Sequence, residues 1–309
     1  MMYRIDFKAM GCRMLAMLES SRPEAPEMLA QVPNWFEEWE QSLSRFRLDS
    51  ELNHLNASAG WPVQVSQTLW DVFRTALEAE VDSQGLVRAS VLQALLQAGY
   101  DHSFEKLPSQ QPLPCLAGIW NMVPSLYEVQ LDEERRTICL PADALLDFGG
   151  VAKGWAASQA AQRLAVLGPT LVSAGGDIAI SGALSDGSLW PVTVDDPFHP
   201  GESITTLRLN TGGVATSGTD YHRWKQGGRW NHHIIDPRDG HPARTDLVAA
   251  TIIAPSAAQA EMAAKTTLIL GSQDGMRWVE ARPDFSALLV LETGEIINSI
   301  NFEPFFWRS

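Results

Sequence analysis

Apolar and polar residues alternate through "YRIDFKAMGCRMLAM", residues 3–17, which predicts a strand with Gly11 as a kink. The period then changes. After Pro33, Trp35, Phe36, Trp39 and Leu43 recur at helical spacing and predict a helix with one apolar face. Ser66 is a natural N-cap for a second helix, whose inward face is Leu69, Val72, Phe73, Ala76 and Leu77. "VLQALLQAGY" predicts a third, stopped by Gly99. Residues 107–114, "LPSQQPLP", read as a proline-rich loop, and "YEVQL" and "TICL" around "DEERR" as a hairpin.

Residues 154–167 predict a helix with Trp155, Ala160, Leu164 and Leu167 inward. "TLVSAGGDIAISG" and "SLWPVTVDD" read as strands around a glycine turn, and "SITTLRLNTGGVATSG" repeats the strand, glycine pair, strand order. The echo of "GGDIAISG" in "GGVATSG" is a weak sign of duplication. "DLVAATIIAP" predicts a buried strand, and "SAAQAEMAAKTTLILG" a helix capped by Ser256 and closed by Gly271. "SALLVLE" and "EIINSI" close the chain as a hairpin. Helices and strand pairs mix without strict alternation, so the expected class is α+β, with mixed or antiparallel sheets and packed helices. No linker divides the sequence, so 1–309 is expected to be a single domain.

Composition narrows the function. The 309 residues are 45% hydrophobic and 19% charged, enough for a large core, and the formal net charge is −14. That field repels a polyanion, so no nucleic-acid partner is expected. Cys12, Cys115 and Cys139 are too scattered for a disulfide framework or a zinc site and read as buried apolar fillers. "MMYRIDFKAMGCRMLAMLES" has charges throughout, so no signal peptide is expected. No apolar run precedes Cys12, so no lipid anchor is expected either. No segment reaches the roughly 18 apolar residues needed to span a bilayer. A reduced, cytoplasmic protein is the expectation.

Candidate chemistry starts at "DFGGVAKGWA", residues 147–156. Gly149 and Gly150 permit a tight turn, the helix start offers unsatisfied N–H groups, and Lys153 adds a mobile cation, so a phosphate is one reading. A plain strand-to-helix turn with an exposed lysine is the other, and neither named nucleotide fingerprint is present. "ATSG" puts Thr216 and Ser217 before Gly218 and alone reads as a turn. In "HHIIDPRDGHP", alternation puts His233 and Ile235 on one face and His232 and Ile234 on the other, so one histidine faces inward, as a core residue or as a base. Glu261 and Lys265 are i and i+4 on a helix, which reads as a surface ion pair worth a few tenths of a kcal/mol or as the edge of a cleft.

Taken in order, "MGC", "SRFRLDSELNHLN", "GLVRASV", "DFGGVAKGWA", "SAGGDIAISG", "ATSG", "HHIIDPRDGHPA" and "AEMAAKTTLILG" resemble the FAD:protein FMN transferases, the ApbE-like flavin transferases. The resemblance runs over about residues 3–298. It implies an ApbE-like, T-fold-related domain that binds FAD in a cleft, usually with Mg²⁺. FMN would pass to a threonine or serine hydroxyl of an acceptor flavoprotein, with release of AMP. The implied FAD contacts fall on Met10, Phe46, Leu86, Val87, Arg88, Asp147 and Lys153. Gly149, Gly150, Gly176, Asp177, Thr216, Ser217, His233 and Ile234 join that set from the matching motifs. The implied metal ligands fall on the backbone near Gly150, on Glu261 and on Lys265. His233 takes the place of the base, with Lys153 and Asp147 beside it in the catalytic set.

Two departures stand out. Val87-Arg88-Ala89-Ser90 replaces the usual Phe-Asp-Pro-Thr, turning an acid into a base. Glu261 and Lys265 replace an aspartate and a threonine at the metal, and a charged lysine cannot ligate Mg²⁺ but is able to occupy its place. The altered positions leave open a flavin-nucleotide binding protein without turnover, and an FAD pyrophosphatase that releases free FMN.

Overall fold

At the first predicted strand the chain turns back on itself. Met10 (φ 49°) and Gly11 (φ 68°) both adopt left-handed backbone, which closes a two-residue hairpin between β1 (Met2–Ala9) and β2 (Cys12–Glu19). The expected single strand with a kink is therefore two antiparallel strands, since a pair of consecutive positive φ angles reverses the chain rather than bending it.

The computed structural model describes residues 1–104, 110–111, 122–219 and 223–306, so Cys115 and most of the proline-rich loop lie outside the described residues. After β2 come α1 (Ala25–Ala30), α2 (Val32–Leu43), α3 (Glu51–Ala57), β3 (Val63–Gln64), α4 (Gln67–Asp82) and α5 (Leu92–Gln97). Then follow β4 (Gln110–Gln111), β5 (Gln130–Asp132), β6 (Thr137–Cys139), α6 (Ala152–Ala165), β7 (Thr170–Ala174) and β8 (Asp177–Ser181). Next are β9 (Trp190–Asp195), β10 (Ser203–Leu209), β11 (Gly212–Gly218), β12 (Arg223–Gln226), β13 (Arg229–His232) and β14 (Leu247–Ala254). The described chain ends with α7 (Ala257–Glu280), β15 (Ser286–Leu291) and β16 (Ile296–Asn298).

The helix starts follow the predicted chemistry. The Ser66 and Ser256 hydroxyls accept the N–H groups of Leu69 and Gln259, both at 3.2 Å. Ser50 does the same for Asn53 at the head of α3, a helix the apolar pattern does not announce. Along α2, Phe36, Trp39 and Leu43 are buried as predicted, whereas Trp35 is half-exposed. Gly271 breaks the helical backbone of α7, where closure was expected, but a further helical stretch follows it.

The chain forms two compact units, each assembled from separated stretches: Met1–Glu37, Lys153–Gly218 and Thr245–Ser309 in the first, Glu38–Ala152 and Thr219–Arg244 in the second. The first holds an eight-stranded sheet in the order β1-β2-β7-β8-β11-β14-β15-β16, in which every neighbouring pair is antiparallel. β14 is buried almost throughout, as its unbroken apolar run predicts. On β9 the alternation is clean: Trp190, Val192 and Val194 face a core that also holds Leu207, Leu209, Ile253 and Phe302. β10 pairs with β9 in a separate ribbon while β11 joins the large sheet, so the echoed glycine-pair motifs do not form equivalent hairpins. The second unit has two small sheets, β13-β12-β4 and β3-β6-β5, the β12–β4 pair being parallel.

Candidate functional site

In the first unit, strand register gathers residues that are distant in sequence. Ala9 opposes Cys12, Met14 opposes Ala174, Ala174 opposes Asp177, and Ile178 opposes Val214. The Met10 turn, the Gly175-Gly176 turn with Asp177, and the run Ala215–Ser217 thus share one end of the large sheet. Thr216 is exposed there and its hydroxyl lies 2.8 Å from that of Thr251, while Ser217 is buried.

Lys153 reaches the same end from the first turn of α6. Its Nζ donates to Asp177 Oδ2 at 2.8 Å and to Glu261 Oε1 at 3.2 Å. The Lys265 Nζ donates to the same Glu261 oxygen at 3.0 Å, and the Gly154 N–H donates to Glu261 Oε2 at 2.9 Å. One sequence expectation is corrected here and one open alternative is decided. Lys153 is anchored between two carboxylates rather than mobile. The Glu261–Lys265 pair is not on the surface: the glutamate side chain is 1% exposed and the lysine 14%. One of the first N–H groups of α6, reserved for phosphate in the sequence reading, is already held by Glu261.

This closeness needs Gly154. A Cβ there would lie 2.8 Å from both Ala257 O and Glu261 Oε2. An alanine in a helix ordinarily stabilises relative to glycine, yet Gly154→Ala is expected to destabilise by about 1–3 kcal/mol through overpacking. Urea unfolding decides the sign, and a gain in stability would mean that α6 and α7 do not approach this closely.

Burial sets the electrostatics. Desolvation, reinforced by the charge of Glu261, pushes the Asp177 carboxyl up to about 6 against the pull of Lys153 and Lys265. Desolvation also opposes ionisation of Glu261, but Lys153 and Lys265 outweigh it and hold that carboxyl down to about 2. Lys153 would lose its proton more easily through desolvation alone, but Asp177 and Glu261 reverse this and raise its pKa well above the usual lysine value.

The second unit carries the remaining predicted residues. Asp147 Oδ2 lies 2.5 Å from Arg45 Nε, and its Oδ1 accepts the Gly149 N–H at 2.7 Å. Gly149 does not adopt left-handed backbone; a Cβ there would sit 2.8 Å from Asp147 Oδ1, so close approach to that carboxylate is what requires glycine. The Arg45 guanidinium lies over the Phe46 ring at 4.0 Å and over the Tyr100 ring at 4.6 Å, and Tyr100 stacks on Trp224 at 5.2 Å. Sequence reasoning named Phe46 and Asp147 but missed Arg45 and Tyr100. The available signal was an arginine directly before Phe46 in "SRF", a counter-ion for an acid already singled out.

Arg88 has a structural task. It pairs with the buried Glu80 at 3.3 Å, donates to Gly85 O at 3.0 Å and also bonds to Val123 O. Glu80 further accepts the Ser125 hydroxyl and the Leu126 N–H. The base at this departure thus neutralises a buried acid. Val87 is buried and Leu86 half-buried beside it.

The predicted histidine alternation fails. β13 ends at His232, His233 lies in a bend, and Ile234 and Ile235 are both buried, because the backbone leaves the strand before the period-two pattern extends. His232 Nε2 bonds to Ala243 O at 3.0 Å and its Nδ1 accepts the Ile234 N–H at 3.3 Å, the pattern of a neutral ring. Burial lowers its pKa, outweighing the Ala243 bond. His233 is half-buried. Cys12 and Cys139 are half-buried too, not the fully buried fillers expected, since each lies at a strand end.

The metal implied by the resemblance meets a poor donor set. Mg²⁺ takes hard oxygen ligands in near-octahedral geometry. Both oxygens of Glu261 are engaged, and Lys265 offers an ammonium without a lone pair. Among the described residues no group of three or more His, Cys, Asp or Glu is arranged to hold a metal ion. The residues present do not fit Mg²⁺. Among the described residues no helix is long and apolar enough to cross a membrane.

An antiparallel α+β protein with a lysine clamped between two buried carboxylates is the class these features define. The sequence matches the ApbE family model over residues 7–289, and the chain belongs to that family. The FAD:protein FMN transferase of Haemophilus influenzae is 25% identical over 261 residues, 81% of this chain and 74% of that protein. One from Klebsiella pneumoniae is 27% identical over 289 residues, 90% and 87% of the two chains. That of Treponema pallidum is 27% identical over 293 residues, 90% and 81%. Among solved structures, the ApbE protein of Thermotoga maritima superposes with a TM-score of 0.88 at 24% identity, covering 100% of both chains. The flavinyl transferase ApbE of Pseudomonas stutzeri gives 0.81 at 21%, covering 100% and 98%. The fold is theirs.

Proposed function

We propose that this chain is an FAD:protein FMN transferase, the activity of the relatives it matches along most of its length. It moves FMN from FAD to a threonine or serine hydroxyl of an acceptor flavoprotein. The acceptor oxygen attacks the phosphorus on the FMN side of the diphosphate. The bond from that phosphorus to the bridging oxygen breaks, AMP leaves with that oxygen, and the hydroxyl proton passes to a base. His233 is the base in this reading, at the position that matches the base of the family. Lys153 faces the diphosphate, and Asp147 holds Arg45 against Phe46 and Tyr100. Residues 1–309 work as one flavin-transferase domain, a reading supported by a single family match across 7–289. The reading carries a cytoplasmic location, which cell fractionation tests.

One observation carries the assignment. Positions as distant as Met10, Lys153, Asp177, Thr216 and Glu261 come together at one end of the large sheet, and each lies in a motif of the resemblance. The test is incubation with FAD and a candidate acceptor, read by mass spectrometry of the acceptor and chromatography of the nucleotides. Covalent FMN on the acceptor with equimolar AMP is expected. Free FMN without a modified acceptor would make the protein an FAD pyrophosphatase, and FAD binding without turnover would make it a carrier.

Lys153→Ala is expected to weaken FAD binding by about 1–3 kcal/mol, the range for a lost charge-assisted hydrogen bond. The same change uncovers Asp177 and Glu261, so a fluorescence titration is compared at equal folded fraction. Unchanged affinity would remove Lys153 from the diphosphate.

A further inference from the structure

We propose that the Lys265 ammonium stands in for a divalent cation, so that FAD's diphosphate is neutralised by Lys153 and Lys265 and the chain binds FAD without Mg²⁺. The inference rests on the reading of FAD as substrate.

Three observations carry it. The first is position: Lys265 follows Glu261 by one turn of α7, and its Nζ sits 3.0 Å from the same Oε1 that Lys153 approaches at 3.2 Å. The two ammonium groups therefore share one carboxylate oxygen, and their charges are held at one place. The lysine side chain is 14% exposed, which excludes the alternative that it extends into solvent and leaves Glu261 to a metal.

The second is charge. Asp177 and Glu261 face Lys153 and Lys265, two carboxylates against two ammonium groups. The ionised set is neutral before any ligand arrives. Adding a divalent ion would put two further positive charges into a buried cluster already balanced, beside two cations, and the repulsion is weakly screened there. A diphosphate is different: it brings negative charge to the lysines from outside, and neither carboxylate has to be displaced.

The third is the donor set. The remaining oxygen of Glu261 is tied to the Gly154 N–H at 2.9 Å, and Asp177 Oδ2 to Lys153 at 2.8 Å. At Glu261 and at Asp177 Oδ2 a Mg²⁺ ion would compete with these bonds for its oxygen ligands, and Lys265 offers none. A covalently tethered cation also needs no metal concentration, so the ammonium group is in place whenever the chain is folded.

Three titrations of the full-length protein test this. In the first, Mn²⁺ alone is added to the nucleotide-free protein and followed by electron paramagnetic resonance. The unmodified chain is expected to leave the ion in solution, and stoichiometric uptake would overturn the proposal. In the second, FAD is titrated calorimetrically with excess EDTA and with saturating Mg²⁺. The two affinities are expected to agree within about twofold, and a Mg²⁺-dependent gain of about tenfold or more would overturn it. In the third, Lys265→Thr is expected to lose about tenfold in FAD affinity in EDTA and to regain part of it with Mg²⁺, while Lys265→Arg stays metal-independent. An equal response to Mg²⁺ in Lys265→Thr and the unmodified protein would also overturn it. The first two use no variant and stand if Lys265→Thr fails to fold. Failure of the two readings is distinguishable: no FAD binding in either buffer overturns the substrate reading and this inference with it, whereas binding that requires Mg²⁺ overturns this inference alone.

Discussion

His233→Ala is expected to slow FMN transfer by about 10²- to 10⁴-fold, as loss of a general base does, with FAD affinity changed little. The acceptor hydroxyl is a weak nucleophile at neutral pH and its proton must leave as the oxygen attacks phosphorus. Two neighbouring histidines are available, and the family's base position falls on His233. His232 is committed to Ala243 O and the Ile234 N–H, and burial keeps its ring neutral. His232→Ala should therefore act on stability, by about 1–3 kcal/mol for the partners it leaves unsatisfied, and leave turnover per folded molecule near that of the unmodified protein. Single-turnover transfer, measured with thermal unfolding of both variants, decides between them. A rate loss confined to His232→Ala would reverse the roles.

Glu261→Gln is expected to destabilise the protein by about 3–5 kcal/mol at pH 7, the usual consequence of removing one member of a buried charge group. The amide keeps the shape, but Lys153 and Lys265 lose their shared countercharge, and an NH₂ group now competes for the place of an acceptor. The pH profile gives the sharper test. The Glu261 carboxyl is held down to about 2 in the folded protein against an ordinary 4.5. Its contribution is therefore present above pH 4.5 and lost as pH falls toward 2. The gap between unmodified protein and Glu261→Gln should be full at pH 7 and close through that window. Asp177 runs the other way. Its carboxyl is raised from 3.8 to about 6, so its contribution is present below pH 3.8 and lost as pH rises through 6. The stability of the unmodified protein relative to Asp177→Asn should fall across that range. Urea unfolding at a series of pH values measures both, and slopes of the same sign for the two variants would contradict the arrangement.

Much of this architecture is legible one segment at a time. The stripe Phe36, Trp39, Leu43 and the caps Ser66 and Ser256 mark helices, because period and capping involve residues within a turn or two of one another. The apolar run of β14 marks a strand covered on both faces. The order of short motifs was enough to indicate the family, since each motif is a contiguous string. Where local signals conflict, the reading weakens: α3 has too short a stripe to register, and the β1–β2 turn looks like a kink until two positive φ angles reverse the chain.

The sequence by itself determined the α+β class, the serine-capped starts of α4 and α7, and the presence of Lys153, Asp177, Glu261 and Lys265 in separate motifs. Only the tertiary structure decided what those four groups do to one another. Lys153 and Glu261 are 108 residues apart, and nothing in either segment names the other as its partner. A periodic pattern tells which side of an element turns inward, but not which element it meets. A charge in a sequence carries its ordinary pKa until burial removes water and a distant segment supplies a counter-ion. The mobile lysine, and the ion pair that local spacing left between the surface and a cleft edge, became one buried, neutral cluster for that reason. Desolvation and long-range pairing set the energy of a charge, and both are properties of the folded chain.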